Sequence, residues 1–362
     1  MSTLYSRFAT LAALAFAVSS LFVGCGGSGG DQKDEPDEPS VDEVAFARGA
    51  DVSWASEMEY DMTHNPSRIG GTAFKDSKGN AGLYPVLKAS GINAIRLRVW
   101  VRPEDPNGWS GKEDVVRMAK RAAEAGMAVM IDFHYSDFFA DPSRQNTPSE
   151  WSGLDLNGLC AKVAEHTRNV LTALKSAGVT PLWVQVGNET RPGMLWETGR
   201  LYNDKGEISG GWSNYAALSN AGYDAVKSVF PAAKVIIHID NAYQNNTWFF
   251  DKLKAAGGKF DMIGLSHYPM TNPSMTWKAM NSSAILNIKS LAAKYGCRVM
   301  VCEVGVKNTA SDLAASTLCM TEFMNSVKSL SVCAGVFYWE PQVDGKWRPS
   351  IYERPDRDWG AY

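Results

Sequence analysis

The chain has 362 residues, 45% of them hydrophobic and 21% charged, an ordinary globular composition long enough for one large barrel or two smaller domains. Its 36 Lys and Arg against 39 Asp and Glu give a net charge of −3, so the balance excludes an electrostatic footprint for nucleic acid or an anionic membrane surface. Twelve Trp exceed the common frequency; flat ring faces suit stacking, although most Trp in any protein are core.

The first element is a targeting segment. Arg7 precedes the apolar run "FATLAALAFAVSSLFVG", which leads to Cys25 and "GGSGG". A charged start, a short apolar stretch and small residues before the break read as a secretory signal over residues 1–24, too short for a stop-transfer span. "LFVGC" resembles a lipobox in which Cys25 is lipidated and becomes the mature N-terminus. Phe22 departs from the usual Leu there, which leaves an ordinary signal peptide as the alternative. Residues 25–44, "GGSGGDQKDEPDEPSVDE" and its flanks, are too acidic and too poor in apolar groups to fold, and read as a disordered tether. Such tethers resemble those of lipoproteins carried to the outer face of a Gram-negative cell. The expectation is an exported protein whose only membrane contact is a lipid anchor at Cys25 on the outer membrane. Residues 45–362 then form the folded domain. The other cysteines, Cys160, Cys297, Cys302, Cys319 and Cys333, are odd in number and irregular in spacing, against a disulfide framework or zinc site, although one bridge remains open. No long apolar stripe is left over, which favours a monomer.

From about Val44 a short β-rich segment, a polar loop and a helical stretch recur. The strand segments are "FARGADVSW" (46–54), "NAIRLRVWV" (93–101), "MAVMIDFHY" (127–135), "PLWVQVGNE" (181–189), "KVIIHID" (234–240), "FDMIGLSHY" (260–268), "RVMVCEVGV" (298–306) and "AGVFYWE" (334–340). "KEDVVRMAKRAAEAG" sets Val115, Met118 and Ala122 on one stripe and ends at Gly126. "LNGLCAKVAEHTRNVLTALKSAG" ends likewise at Gly178, and "NYAALSNAGYDAVKSVFP" stops before Pro231. Strands alternating with helices imply parallel pairing. Eight such units fit a single-domain α/β fold of the (β/α)8 TIM-barrel type. A doubly wound sheet is the alternative, but no Gly-rich phosphate loop follows any strand.

In such barrels the chemistry sits at the C-terminal ends of the strands. Those ends supply Asp51 and Trp54, Arg96 and Arg98, Asp132 and His134, Asn188 and Glu189, His238 and Asp240, His267 and Tyr268, Glu303, then Trp339 and Glu340. Strands four and seven lie across a barrel from each other, so Glu189 and Glu303 can face one another over the cleft. Two opposed carboxylates are what glycosidic bond cleavage needs, one protonating the leaving oxygen and the other attacking the anomeric carbon or activating water. A glutamate beside a like charge is pushed to higher pKa, which suits a general acid. The competing account makes Glu189 a barrel residue salt-bridged to Arg96 or Arg98.

Asn188-Glu189 at the fourth strand end, with Glu303 at the seventh, resembles the signature of the clan of retaining glycoside hydrolases with eight-stranded barrels. "GADVSWASEME", "GINAIRLRVWVRPEDPNGW", "MIDFHYSDFFADPSRQNTPSEW", "VQVGNETRPGMLW", "DMIGLSHYP" and "EVGV" follow the order and spacing of glycoside hydrolase family 53 over about residues 45–345. That family comprises endo-β-1,4-galactanases acting on the galactan side chains of pectin. The resemblance implies Glu189 as acid/base, Glu303 as nucleophile and Asn188 as partner of the sugar 2-hydroxyl. Arg96 and Arg98 share a strand face, and one of them should sit beside Glu303 and keep it ionised. By the same resemblance Asp51, Trp54, His134 and Asp137 line the sugar site. His267 and Tyr268 face the nucleophile's side, with Tyr268 bonded to Glu303, and Trp339 forms a stacking floor. Trp100, Trp151 and Trp347 divide evenly between cleft and core.

The departures bear on the same expectation. Family members commonly carry Trp where Phe139 stands before "ADP", so an aromatic face survives and an indole hydrogen bond is lost. Members that bind calcium have an Asp-rich loop after strand seven; here that stretch offers only Asp312, with Asp344 further on, whereas calcium needs several clustered oxygens. No metal or other cofactor is expected. Short loops after strands seven and eight favour short products from galactan and galactooligosaccharides. Two rivals stand beside this reading: another enzyme of the clan, such as a β-mannanase, cellulase or xylanase, and a surface glycan-binding lipoprotein without turnover.

Overall fold

The computed structural model describes residues 44–69, 74–75, 78–307 and 312–343; the expected signal, Cys25, the tether, Asp344 and Trp347 lie outside them. Strands β1 (Ala47–Asp51), β2 (Ala94–Val99), β3 (Ala128–Phe133), β4 (Trp183–Val186), β5 (Lys234–Ile239), β6 (Met262–His267), β7 (Val299–Val304) and β8 (Cys333–Trp339) close into one parallel barrel in chain order. β8 returns to β1 with Asp51 opposite Trp339. Around the barrel run α1 (Ala55–His64), α2 (Leu83–Ala89), α3 (Lys112–Glu124), α4 (Leu156–Ser176), α5 (Gly211–Val229), α6 (Thr247–Ala255), α7 (Trp277–Tyr295) and α8 (Leu313–Lys328). This is the (β/α)8 fold expected from the alternation. α3 buries Val115, Met118 and Ala122 on its inner stripe, and α4 starts where the Asp155 carboxylate accepts the Gly158 N–H at 2.8 Å, an N-cap worth ~1 kcal/mol.

Strand alternation divides the apolar residues between two cores. Ile95, Leu97, Val129, Ile131, Val184 and Val186 point outward to the helices, each worth about 1.5–3 kcal/mol when fully buried. Ala47, Ala94, Ala128, Trp183, Ile236, Met300 and Phe337 point inward and fill the lower barrel. Small residues on β1 to β3 leave the volume that Trp183 and Phe337 occupy, edge to face at 6.1 Å. Gly49 belongs to this packing, because a Cβ there would lie 2.2 Å from the Phe337 ring. Above that layer the inward residues become polar and mostly ionic: Asp51, Arg96, Arg98, Asp132 and the neutral Gln185 are all buried.

Two register shifts interrupt the alternation where the site begins. Between β6 and β7 the pairing slips at Leu265/Ser266, so Ser266 stands opposite Glu303 instead of Cys302; β7 and β8 slip between Val301 and Val304. Cys302 packs in the barrel interior while Val301 and Val304 pack outward. A bulge re-aims the side chain that follows it, and here it turns Glu303 inward directly after an inward Cys302. The β4–α5 connection also carries two short ribbons, Gly193–Met194 with Gly199–Arg200 and Tyr202–Asn203 with Gly206–Glu207, which the sequence patterns did not suggest. Cys160, Cys297, Cys302, Cys319 and Cys333 are all free thiols, which disposes of the single bridge left open by the spacing. Among the described residues no helix is long and apolar enough to cross a membrane.

Candidate active site

The C-terminal mouth is organised by one cation. Arg96 donates from Nε to Gln185 Oε1 at 2.6 Å, from Nη2 to Asp132 Oδ2 and Asn188 Oδ1 at 2.8 Å each, and from Nη1 to Asp51 Oδ2 at 2.8 Å, and Nη1 forms an ion pair with Glu303 Oε1 at 2.9 Å. Four hydrogen bonds and one ion pair thus engage all three guanidinium nitrogens. Burial disfavours the charge, but Asp132, Glu303 and Asp51 outweigh it and hold Arg96 cationic well beyond its ordinary range. Burial also pushes Asp132 up, yet Arg96 and then His134 bring its pKa below the usual value.

Glu303 lies on one side of the cleft, gripped by Arg96 and by the Tyr268 hydroxyl, which donates to Oε2 at 2.9 Å. Burial raises its pKa, while Arg96 and Tyr268 pull the other way; the nearby Asp132 and Asp51 leave the balance on the raised side. Arg96 therefore restrains the nucleophile candidate without bringing it below the ordinary carboxyl range. Glu189 lines the same cleft at the end of β4. Gly187 there has φ 88° and a Cβ would lie 2.5 Å from Thr190 Cγ2, so the strand ends sharply on a residue without one. Glu189 itself sits at φ 47°, a left-handed conformation that costs a non-glycine residue roughly 1–3 kcal/mol and gathers at functional sites. Its pKa is raised well above the ordinary value by burial, then by Glu303 and Asp240; the Ser266 hydroxyl opposes these as a hydrogen-bond donor. The arginines expected as alternative partners are engaged elsewhere, Arg96 with Glu303 and Arg98 with Glu340 at 2.6 Å.

Around this pair, Asp51, His134, Asn188, Asp240, Tyr268 and Trp339 line the cleft, with Phe139 and Asp141 from the loop after β3. His134 bonds Asp132 through Nε2 at 3.0 Å and accepts the Ala140 N–H on Nδ1 at 2.9 Å. Asn188 donates to the Ala140 carbonyl at 2.8 Å, which fixes its amide orientation. Arg98 also reaches the cleft, its guanidinium 4.0 Å from the Trp54 ring and 4.6 Å from the Phe139 ring.

Three of the expected sugar-site residues are elsewhere. Trp54 is 1% exposed and backs Arg98 and Phe139 from within a buried aromatic cluster that includes Trp100. Asp137 accepts the Arg102 N–H at 3.1 Å and the Ser149 N–H and hydroxyl at 2.8 Å each; it ties the loops after β2 and β3 together and is not among the residues that line the cleft. His267, fully buried, bonds Asn281 at 2.8 Å and packs on Phe323, on the helix side of β6. Strand alternation carried the signal for that correction, since Ser266 and Tyr268 share a face and His267 takes the other. Trp151 is core as well. The sequence patterns missed Gln185, Ser266, Asp141 and the full role of Asp132. Asp312 stands at the N-terminal end of α8, and among the described residues no group of three or more His, Cys, Asp or Glu could hold a metal ion.

An eight-stranded barrel with two glutamates opposed across its C-terminal mouth, one held by a cation and the other, among the described residues, without one, defines a glycoside hydrolase site. Residues 47–352 match the model of glycosyl hydrolase family 53, and the chain belongs to that family. It is 35% identical over 295 residues to the arabinogalactan endo-β-1,4-galactanase of Thermothelomyces thermophilus, covering 75% of this chain and 84% of that one. It is 30% identical to the endo-β-1,4-galactanase of Bacillus subtilis, over 82% of this chain and 70% of that one. A fungal β-1,4-galactanase structure superposes with a TM-score of 0.69 at 32% identity, covering 82% of this chain and 89% of the other. The family 53 catalytic domain of Ignisphaera aggregans gives 0.67 at 28%, over 82% and 85%.

Proposed function

We propose that the protein is a retaining endo-β-1,4-galactanase that cleaves galactan, including the side chains of pectin, to short galactooligosaccharides. The observation that carries the mechanism is the unequal setting of the two carboxyls. Glu303 has Arg96 at 2.9 Å and Tyr268 at 2.9 Å, whereas Glu189 is raised further, by burial and by Glu303 and Asp240, with only Ser266 opposing. Two glutamates so placed share one proton at working pH, and it resides on Glu189.

In the first step the Glu303 carboxylate attacks the anomeric carbon while Glu189 gives its proton to the glycosidic oxygen and the C–O bond breaks. Glu189, now a carboxylate, takes a proton from water as the water oxygen joins the anomeric carbon and Glu303 departs, restoring the starting protonation. Asn188 meets the 2-hydroxyl and Trp339 supports the ring face. Asp51, His134 and Phe139 complete the walls. All the acid, base and nucleophile groups are protein side chains, so the reaction calls for no cofactor. The relatives named for galactanase activity support the substrate.

The test is reducing-sugar release from galactan, carboxymethylcellulose, mannan and xylan by the wild type, Glu189→Gln and Glu303→Gln. Release from galactan alone, lost in both variants, is the expected result. Release from another polymer would keep the chemistry and overturn the substrate. Binding of galactan without any release would make this a glycan-binding protein. Export with lipidation at Cys25 is part of the same reading, resting on "LFVGC" and the acidic tether; labelled palmitate should enter the wild type and not Cys25→Ala.

A further inference from the structure

Past Glu189 the cleft lining continues onto the end of β5, where it includes Asp240 and Asn241, and the reaction above gives neither of them a part. β5 is the hydrogen-bonded neighbour of β4, the strand that ends in Glu189, while Asp51, Arg98, His134 and Trp339 come from the ends of β1, β2, β3 and β8. The Asp240 carboxylate is pinned at both oxygens. Arg191, two residues after Glu189, donates from Nε to Oδ1 and from Nη2 to the Asp240 carbonyl. The same Nη2 reaches Oδ1 of the fully buried Asn246 at 3.0 Å, whose Nδ2 donates to the Asn241 carbonyl at 3.2 Å. Asn241 Nδ2 then donates to Asp240 Oδ2. Asn241 sits at φ 56°, a left-handed conformation that asparagine tolerates better than most residues. An ionised carboxylate offers about four acceptor positions, so one bond on each oxygen leaves capacity on both. The side chain keeps 14% of its surface exposed, and it lines the cleft.

The glycosidic oxygen that Glu189 protonates has the leaving sugar on its far side. Glu303, Asn188 and Trp339 claim the sugar whose anomeric carbon is attacked, so the leaving sugar is seated on the Glu189 side, next to the end of β5. A pyranose presents hydroxyl donors, and a carboxylate already fixed by its neighbours is a pre-organised acceptor of the stronger, charge-assisted kind. We propose that Asp240, set in place by Arg191 and Asn241, is a specificity-determining residue that accepts a hydrogen bond from a ring hydroxyl of the leaving galactose. This rests on Glu189 being the acid/base. No covalent bond to Asp240 forms or breaks, and the proton passes from Glu189 to the glycosidic oxygen as before. A site built to meet a hydroxyl discriminates against a leaving group that lacks one, which favours cutting within a galactan chain over release of an apolar aglycone. Asp240 is also among the charges that raise Glu189, so the experiment separates hydroxyl binding from an effect on acidity.

The full chain, Asp240→Asn and Glu189→Gln are compared on β-1,4-galactotriosides whose leaving group is nitrophenol, phenol or a further galactose, with kcat/KM read at that bond and thermal unfolding of each protein. Nitrophenol leaves without a proton, phenol needs the proton but brings no sugar hydroxyl, and galactose needs both. In Asp240→Asn, kcat/KM should fall roughly tenfold to hundredfold for the galactose leaving group, the worth of a hydrogen bond to a charged group, and stay unchanged for both phenols. An equal fall for phenol would make Asp240 a tuner of Glu189 acidity, and a fall for all three or for none would leave it without a role in seating the leaving sugar; each overturns the proposal. Should Asp240→Asn not fold, Asp240→Glu, which keeps the charge and moves the oxygens by one methylene, is read in the same way. Glu189→Gln should lose the phenol and galactose reactions and keep formation of the glycosyl-enzyme from the nitrophenyl substrate. Wild-type turnover of all three by Glu189→Gln would instead remove the acid/base reading itself.

Discussion

Replacing Arg96 by Gln removes the guanidinium that three buried carboxylates, Asp51, Asp132 and Glu303, share at 2.8 to 2.9 Å. Breaking a buried ion pair from one side costs about 3–5 kcal/mol, because the partner's charge is left uncompensated. At the lower end of the usual sensitivity for a large domain, that is a fall in Tm of roughly 6–10 °C at neutral pH. The pH dependence is the sharper test. In the wild type Asp132 is depressed by Arg96 against its burial, so its contribution is present above the unfolded value of ~3.9 and lost as pH falls through the folded one. Glu303 is already raised, and without Arg96 it rises further. Such a group opposes folding increasingly as pH climbs past its unfolded value of ~4.3. Both signs agree: the deficit of Arg96→Gln should be largest near pH 7 to 8 and shrink toward pH ~4. Calorimetric Tm values for both proteins across that range are the measurement. A deficit that is constant with pH, or absent at pH 7, would refute an electrostatic origin.

Other outcomes follow from the same contacts. Tyr268→Phe removes the donor to Glu303 Oε2, so the carboxyl pKa rises and the acid limb of kcat/KM moves upward. A lost hydrogen bond to a charged group corresponds to a roughly tenfold to hundredfold fall in kcat/KM, read from the same pH profile. Asp137→Ala unpins the loops after β2 and β3 and should lower stability by about 1–2 kcal/mol, as loss of a capping carboxylate does. Because Asp137 is not among the cleft-lining residues, KM for galactan should be unchanged in the folded variant; a large rise in KM would return it to the sugar site.

The barrel was legible because its grammar is local. Each strand segment, each helix stripe and the glutamates at the ends of β4 and β7 can be read without neighbours. What escaped depends on pairing. Strict alternation along "VMVCEV" would put Val299, Val301 and Glu303 on one face, yet Val301 packs outward and Glu303 faces the cleft, since only the pairing with β6 and β8 shows the register shifts. His267 failed in the opposite direction. Alternation assigns it to the helix side, whereas the resemblance carried by "LSHYP" as a unit implies the cleft. Trp54 lies past the end of β1, where periodicity says nothing, and whether an indole meets sugar or backs an arginine depends on side chains from β2 and the loop after β3. The place of Asp137 in "FHYSD" implies the site, but its partners Arg102 and Ser149 sit in loops that no local pattern brings together.

All three nitrogens of the Arg96 guanidinium are engaged by the protein, in four hydrogen bonds and the ion pair to Glu303, and this divides labour at the mouth. A guanidinium held so firmly among carboxylates sets the charge of the reaction, and telling one sugar from another rests on other groups. Discrimination falls to the outer ring, where His134, Phe139, Asp141, Asp240 and Trp339 meet the cleft. Several of these stand on loops rather than in the ionic layer, so new polymer preferences can arise there by drift or by design while the bond-breaking apparatus beneath stays as it is.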